Sequence, residues 1–246
     1  MWDKRNYNMR TPIPITKPLL KPVGIIHPLL NDPALEALYI PNGYEGVDKL
    51  IDLSGNGRHG SLAGPLWRGG ALSFDGDDYI DCGNFADLVT PNTPLSVFTY
   101  FKVGGKGSIE TLISKRGYSG GNVGWKIEQT NETKLKFTIY GNGTANDVIP
   151  NHVLGINEIV SVCGVYNGTG NRSGMSMYID GVFLLSGTAQ VIDAPTTISA
   201  NVFLGRDSAK AMRYLIGDIY MVAIFSRELN ASEVLTLHKI ARGLTK

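Results

Sequence analysis

Apolar and polar residues in this chain mostly alternate over short stretches, the period of a half-buried strand. In Lys134 to Tyr140, Leu135, Phe137 and Ile139 interleave with Lys134, Lys136 and Thr138, which predicts a strand with one face toward water. In LSVFTYFKV, Leu95, Val97, Phe101 and Val103 share one side while Phe98 and Tyr100 make the other apolar too, predicting a strand covered on both faces. ALSFDGDDYIDCG places Leu72 and Phe74, then Ile80 and Cys82, on matching sides of an acidic turn, Asp75-Gly76-Asp77-Asp78, and predicts a β-hairpin. MSMYIDGVFLL predicts a second hairpin across Asp180-Gly181. The period changes only near the C-terminus. There Asn230 with Glu233 forms a capping-box pattern ahead of Val234, Leu237 and Ile240, and a helix is predicted over 231–241.

The first 30 residues differ from the rest. Pro12, Pro14, Pro18 and Pro22 remove amide donors and disfavour helix, while Lys4, Arg5, Arg10, Lys17 and Lys21 face a single acid, Asp3. The stretch reads as an extended basic arm, residues 1–30, ahead of one domain, residues 31–246. Ile13, Ile15, Leu19, Leu20 and Val23 are too apolar for a solvated linker and are the candidate anchoring residues.

Composition narrows the class. A chain with 43% hydrophobic residues, at 246 residues, buries a core without disulfides, and its 30 glycines suit many strands joined by turns. Net charge of +1 provides no global field toward nucleic acid or an anionic membrane, so neither is expected as a partner. The apolar runs are of strand length and MWDKRNYNMR lacks the apolar core of a signal peptide, so no membrane span and no export signal are expected. Cys82 and Cys163 sit inside strand patterns and read as buried free thiols. The Asn-x-Ser/Thr sequons, beginning at Asn131, Asn142, Asn167, Asn171 and Asn230, read as turn chemistry.

DLSGNGRHGSL with ALSFDGDDYIDCG, EIVSVCGVYNG, MSMYIDGVFLL, VFLGR and YLIGDIYMVAIFSREL occur in an order that resembles laminin-G-like domains of the concanavalin A-like group. The resemblance covers about residues 27–235. It implies an all-β fold: a two-sheet antiparallel jelly-roll sandwich with the extended arm before it and a short helix after. The lead-in from His27-Pro28 to Leu38, Tyr39 and Ile40 is similar to that of laminin-G-like proteins of tailed phages. That similarity implies a virion protein, made in the host cytoplasm, whose partners are other virion proteins and further copies of itself.

Candidate chemistry is sparse. Glycosidases need two opposed carboxylates, and Glu128 with Glu132, the nearest approach, straddles a turn and reads as solvated charge. No histidine neighbours a nucleophile motif and no Cys/His cluster has zinc spacing, so the chain is expected not to be an enzyme. Many domains of the resembled group bind calcium, which makes Asp75, Asp77 and Asp78 candidate ligands, although a plain acidic turn explains them as well. Asp77 and Asp78 are expected on opposite sides, so that at most two of the three converge. Where related domains carry an Asp-Glu pair, this chain has Tyr220 and Met221. For glycan binding, Tyr118, Asn122 and Trp125 in one Gly-rich loop, and Asn146 and Asp147 near the next turn, supply a ring to stack and groups for hydroxyls. Trp125 also fits a family position that favours packing. The resulting expectation is a non-enzymatic structural component of a phage particle, whether capsid decoration, head fibre or tail-associated protein. A carbohydrate-binding module that adsorbs to host-surface glycans is the alternative, and a glycosidase a more distant one.

Overall fold

The structure is a computed structural model that describes residues 27–87, 92–117, 123–193 and 199–245. Among these, the alternating stretches form β1 (Leu35–Tyr39), β2 (Lys49–Leu50), β3 (Gly60–Ala63), β4 (Leu66–Arg68), β5 (Ala71–Asp75), β6 (Tyr79–Asp81), β7 (Leu95–Val103) and β8 (Glu110–Gly117). They continue as β9 (Val123–Gln129), β10 (Leu135–Gly141), β11 (Thr144–Val148), β12 (Ile159–Tyr166), β13 (Met175–Ile179), β14 (Val182–Ser186), β15 (Phe203–Leu204) and β16 (Ile216–Phe225). The helix α1 (Ala231–Arg242) closes the fold. The arm residues Ile13, Ile15, Leu19, Leu20 and Val23 lie outside the described residues, as do Tyr118 and Asn122.

Two sheets result, antiparallel throughout. The back sheet runs β14-β13-β12-β7-β16-β5-β4, with β1 also paired to β16, and the front sheet runs β11-β10-β9-β8-β15-β6-β3-β2. They form the jelly-roll sandwich that the family resemblance implies. Between them lies a core built from alternate residues of both sheets, including Leu72, Phe74, Ile80, Phe101, Trp125, Phe137 and Val162.

The hairpin predicted across Asp75 to Asp78 does not form. β5 pairs with β4 and β16 in the back sheet, whereas β6 pairs with β3 and β15 in the front sheet. The acidic turn is therefore a corner where the chain crosses between layers. Leu72, Phe74, Ile80 and Cys82 still face one core, because two strands that approach it from opposite sheets show the same alternation as a hairpin with one buried face. The step from β3 to β4 crosses at Gly64-Pro65 beside it. Gly64 is at φ +97, and a Cβ there would lie 1.8 Å from Asp78 Oδ1, so the two corners stack only with glycine.

The second hairpin does form. β13 and β14 pair across Asp180 (φ 51) and Gly181 (φ 76), both in the left-handed region that a tight type I′ turn needs.

The back sheet is buried on its outer side as well. Phe98, Tyr100, Cys163, Val165, Met221, Ala223 and Phe225 pack there against Leu229, Val234, Leu237 and Ala241 of the helical end, and against Leu29, Leu30, Leu38 and Ile40 of the lead-in. The two-sided burial predicted for β7 is thus met. The capping box is present: Asn230 Oδ1 accepts from Glu233 N at 3.0 Å and Glu233 Oε2 accepts from Asn230 N at 2.9 Å. Arg227 joins the lead-in to this helix, donating to Asp32 Oδ2 at 2.6 Å and to Glu233 Oε1 at 2.7 Å. Packing begins slightly before the boundary drawn at residue 31, since Leu29 and Leu30 are already in this outer core. Both cysteines are free and buried.

The sheets approach closely at Gly164 of β12, where a Cβ would sit 2.6 Å from the Phe137 ring of β10. Its backbone is not strained, so the constraint is steric alone. Gly164→Ala is expected to cost about 1–3 kcal/mol in urea denaturation, and less in a Phe137→Leu background, because the smaller side chain opens the contact. Strictly additive costs would place the tight approach elsewhere.

Candidate functional site

With the back sheet covered, the outer face of the front sheet is the broad strand surface with no helix over it among the described residues. Strand alternation decides what it carries. On β9, Val123, Trp125 and Ile127 turn inward, and Lys126 and Glu128 turn outward. Their cross-strand neighbours are Lys136 and Thr138 on β10, and Thr138 pairs in turn with Asp147 on β11.

This face was expected to meet water, and in part it does not. Lys126, Glu128 and Thr138 are fully buried, and the segment from Arg206 to Arg213, between β15 and β16, folds over the first two through Asp207 and Arg213. Its Asp207 accepts from Arg116 Nη1 at 2.8 Å and lies 3.6 Å from Lys126 Nζ. Glu128 is contacted by Lys126 Nζ at 2.6 Å, Lys136 Nζ at 2.7 Å and Arg213 Nη1 at 3.1 Å. Ser208 completes the attachment, donating its amide to Ser114 Oγ at 2.8 Å and accepting Arg116 N at 2.6 Å. Burial pushes the Glu128 carboxyl up, but the Lys126 and Lys136 ammoniums outweigh it and hold the group below its ordinary value. Burial likewise pushes Lys126 down, and Glu128 and Asp207 offset this only partly. Glu128 is therefore not the solvated charge expected, whereas Glu132 is exposed and pairs with Lys134 at 2.8 Å.

Aromatic rings lie among these charges. The Arg116 guanidinium carbon is 4.5 Å from the Tyr140 ring centroid, and that of Arg206 is 3.9 Å from Tyr79 and 4.0 Å from Phe203. Burial pushes the Tyr140 phenol up to about 12. Polar side chains, rings and a fixed backbone together suit recognition of a polar ligand with ring faces of its own.

The glycan candidates separate here. Asp147 is on this face, accepting from Thr138 Oγ1 at 2.6 Å. Trp125 is a correction: it is fully buried in the core, and its indole N–H donates to Ala86 O at 3.0 Å, so no sugar can stack on it. Asn146 is a second correction, buried opposite Ile139 with its amide donating to Ile139 O at 3.3 Å, because the register sends it inward. The residues that sequence reasoning missed are Lys126, Arg116, Asp207, Arg206, Tyr79 and Phe203. The one legible signal was two charges at alternate positions of GWKIEQ, on the side opposite Trp125.

Two other clusters are less capable. One oxygen from each of Asp75, Asp77 and Asp78 lies within 4.8 Å of the others, against the expectation that only two converge. Gly76 is at φ +113 and β6 starts only at Tyr79, so strand alternation does not yet govern Asp77 and Asp78. Asp78 Oδ2 accepts the Asp75 amide at 3.0 Å, which closes the turn through its own backbone. On the back sheet, Ser161 Oγ lies 2.9 Å from His238 Nδ1, and Asp180 Oδ1 lies 3.6 Å from the same nitrogen. A proton relay needs serine and carboxylate at opposite ring nitrogens, and this serine is buried.

A family model described as the concanavalin A-like lectin/glucanases superfamily matches residues 74–235, from the end of β5 into α1. The chain belongs to that superfamily. No curated protein sequence matches it. Trypanosoma rangeli sialidase, solved in complex with sialic acid, is similar in fold: TM-score 0.65, 14% identity, covering 87% of this chain and 34% of that one. The receptor binding domain of botulinum neurotoxin C/D mosaic serotype gives 0.66 at 16% identity, over 84% and 51%. The binding domain of Paraclostridial Mosquitocidal Protein 1 gives 0.65 at 16%, over 85% and 52%. This superfamily member thus spans about a third to a half of those chains, and at these identities the likeness is one of fold. No helix among the described residues is long and apolar enough to cross a membrane.

The buried network makes a stability prediction. Glu128→Gln should cost on the order of 3 kcal/mol, since it leaves buried cations short of a partner, while Glu132→Gln should leave the urea midpoint unchanged. A folded carboxyl held below its unfolded value adds stability above about pH 4.5 and loses it as pH falls through the lower folded value. The wild-type melting temperature should therefore fall more steeply than that of Glu128→Gln below that pH. Parallel acid profiles would contradict the assigned network.

Proposed function

We propose that this chain is a non-catalytic glycan-binding module whose recognition surface is the outer face of the front sheet. The observation that carries the reading is the combination on that face of ring-stacked guanidiniums with Asp147 and Lys136, on strands held rigid by the buried ion network. Membership of a superfamily described by its lectins and glucanases supports it, as do structural neighbours that include a sialidase in complex with sialic acid and a toxin receptor binding domain. Against hydrolysis stands the state of Glu128. Three cations surround it and hold it ionised, so it has no proton to give a leaving group, and Glu132 lies beyond the end of β9, outside this network. Immobilised wild-type protein should bind a subset of a glycan array and release no reducing sugar from those ligands. Asp147→Ala should weaken that binding severalfold while the melting temperature holds. No retention of any glycan would sink the reading, and sugar release would replace it with hydrolysis.

A second reading, a structural component of a phage particle, is favoured by β14. Val182, Phe183, Leu184 and Leu185 are all exposed on this edge strand, which has no lysine, proline or inward charge to blunt it. An apolar edge with no further strand paired to it among the described residues suits assembly with neighbouring subunits. Sedimentation should then show self-association of the wild type that Phe183→Lys with Leu185→Lys abolishes. A concentration-independent monomer would remove this support.

A further inference from the structure

We infer that Arg206 is an anion-recognition residue, and that the glycan bound by the front sheet carries a carboxylate. The inference rests on the glycan-binding reading above and names the ligand class. Arg116, Lys126, Lys136 and Arg213 each have a carboxylate partner on this face. Arg206 has none: among the described residues its side chain makes no hydrogen bond and no ion pair, and its Nε is buried without a partner. Its guanidinium instead lies over the rings of Tyr79 and Phe203, themselves 5.8 Å apart in an edge-on arrangement.

A buried Nε–H without a partner is costly, while the Nη groups of this half-buried residue stay open to a ligand. Contact with two rings holds the guanidinium in place without using its Nη N–H groups, so these remain available to an oxyanion at little entropic cost. The backbone is fixed as well. Arg206 O accepts from Ser114 Oγ at 2.8 Å, and the next residue, Asp207, is tied into the buried ion network. Planar fork geometry matches a carboxylate in two parallel hydrogen bonds. Hydroxyl partners are near in register. Asp81 is the direct cross-strand neighbour of Phe203, oriented by the amide of Asn201 at 2.9 and 3.0 Å, and Ser61 pairs with Asp81 from the other side. A charged fork beside rings and hydroxyl-binding groups fits an acidic sugar, of the sialic or uronic type, better than a neutral one.

The test uses the full chain, with sialyllactose and a galacturonate trisaccharide as acidic probes and lactose as the neutral one. Binding is followed by NMR titration with the arginine Nε–H signals resolved. At least one acidic probe should bind at least about tenfold tighter than lactose and move the Arg206 Nε–H signal. Arg206→Lys, which keeps the positive charge but loses the planar fork, should remove that preference at an unchanged melting temperature. Acidic binding that Arg206→Lys and Arg206→Gln leave intact overturns the role of Arg206 while glycan binding stands. So does a preference for the neutral probe. If neither these probes nor any member of the glycan array binds, the glycan reading falls and this inference with it.

Discussion

Burial of the back sheet on both faces is the constraint from which the rest of the structure follows. β7, β12 and β16 carry apolar side chains on both faces, so each needs a core on either side. The front sheet supplies one of these. The lead-in and α1 supply the other, held together by Arg227 between Asp32 and Glu233. Once that surface is taken, the outer side of the front sheet is the broad strand face left for polar chemistry, and the charges of the fold collect there.

Those charges have a positional role more than a stabilising one. Buried ion pairs seldom exceed apolar packing in stability, but breaking one partner is costly, so the network favours one arrangement over its alternatives. Here it fixes the Arg206 to Arg213 segment across β8 and β9. Asp207 alone faces Arg116, Lys126 and Arg213. A surface segment held in this way presents Arg206, Tyr79 and Phe203 as a rigid group rather than a mobile loop.

Much of the architecture was legible in the sequence, because alternation, turn glycines and capping pairs are local. β7, the Asp180-Gly181 turn and the Asn230 capping box all follow from residues within a few positions of one another. Layer assignment was not legible. Leu72 and Phe74 with Ile80 and Cys82 read as one hairpin, yet a corner between sheets has the same alternation. The site was harder still: Lys126 and Glu128 look like solvated residues until Asp207 and Arg213, some 80 residues later in the chain, are folded over them. Trp125 shows the reverse error, an aromatic beside a loop that looks available for a sugar and lies in the core instead.

Glycan recognition, as proposed, occurs on the outer face of the front sheet. Hydrogen–deuterium exchange of the full chain, with and without a glycan that it retains, tests this most directly. Protection is predicted in β9, β10, β15 and the segment after β15, with α1 and β14 unchanged. Protection confined to α1, the lead-in or β14 would place recognition on another surface.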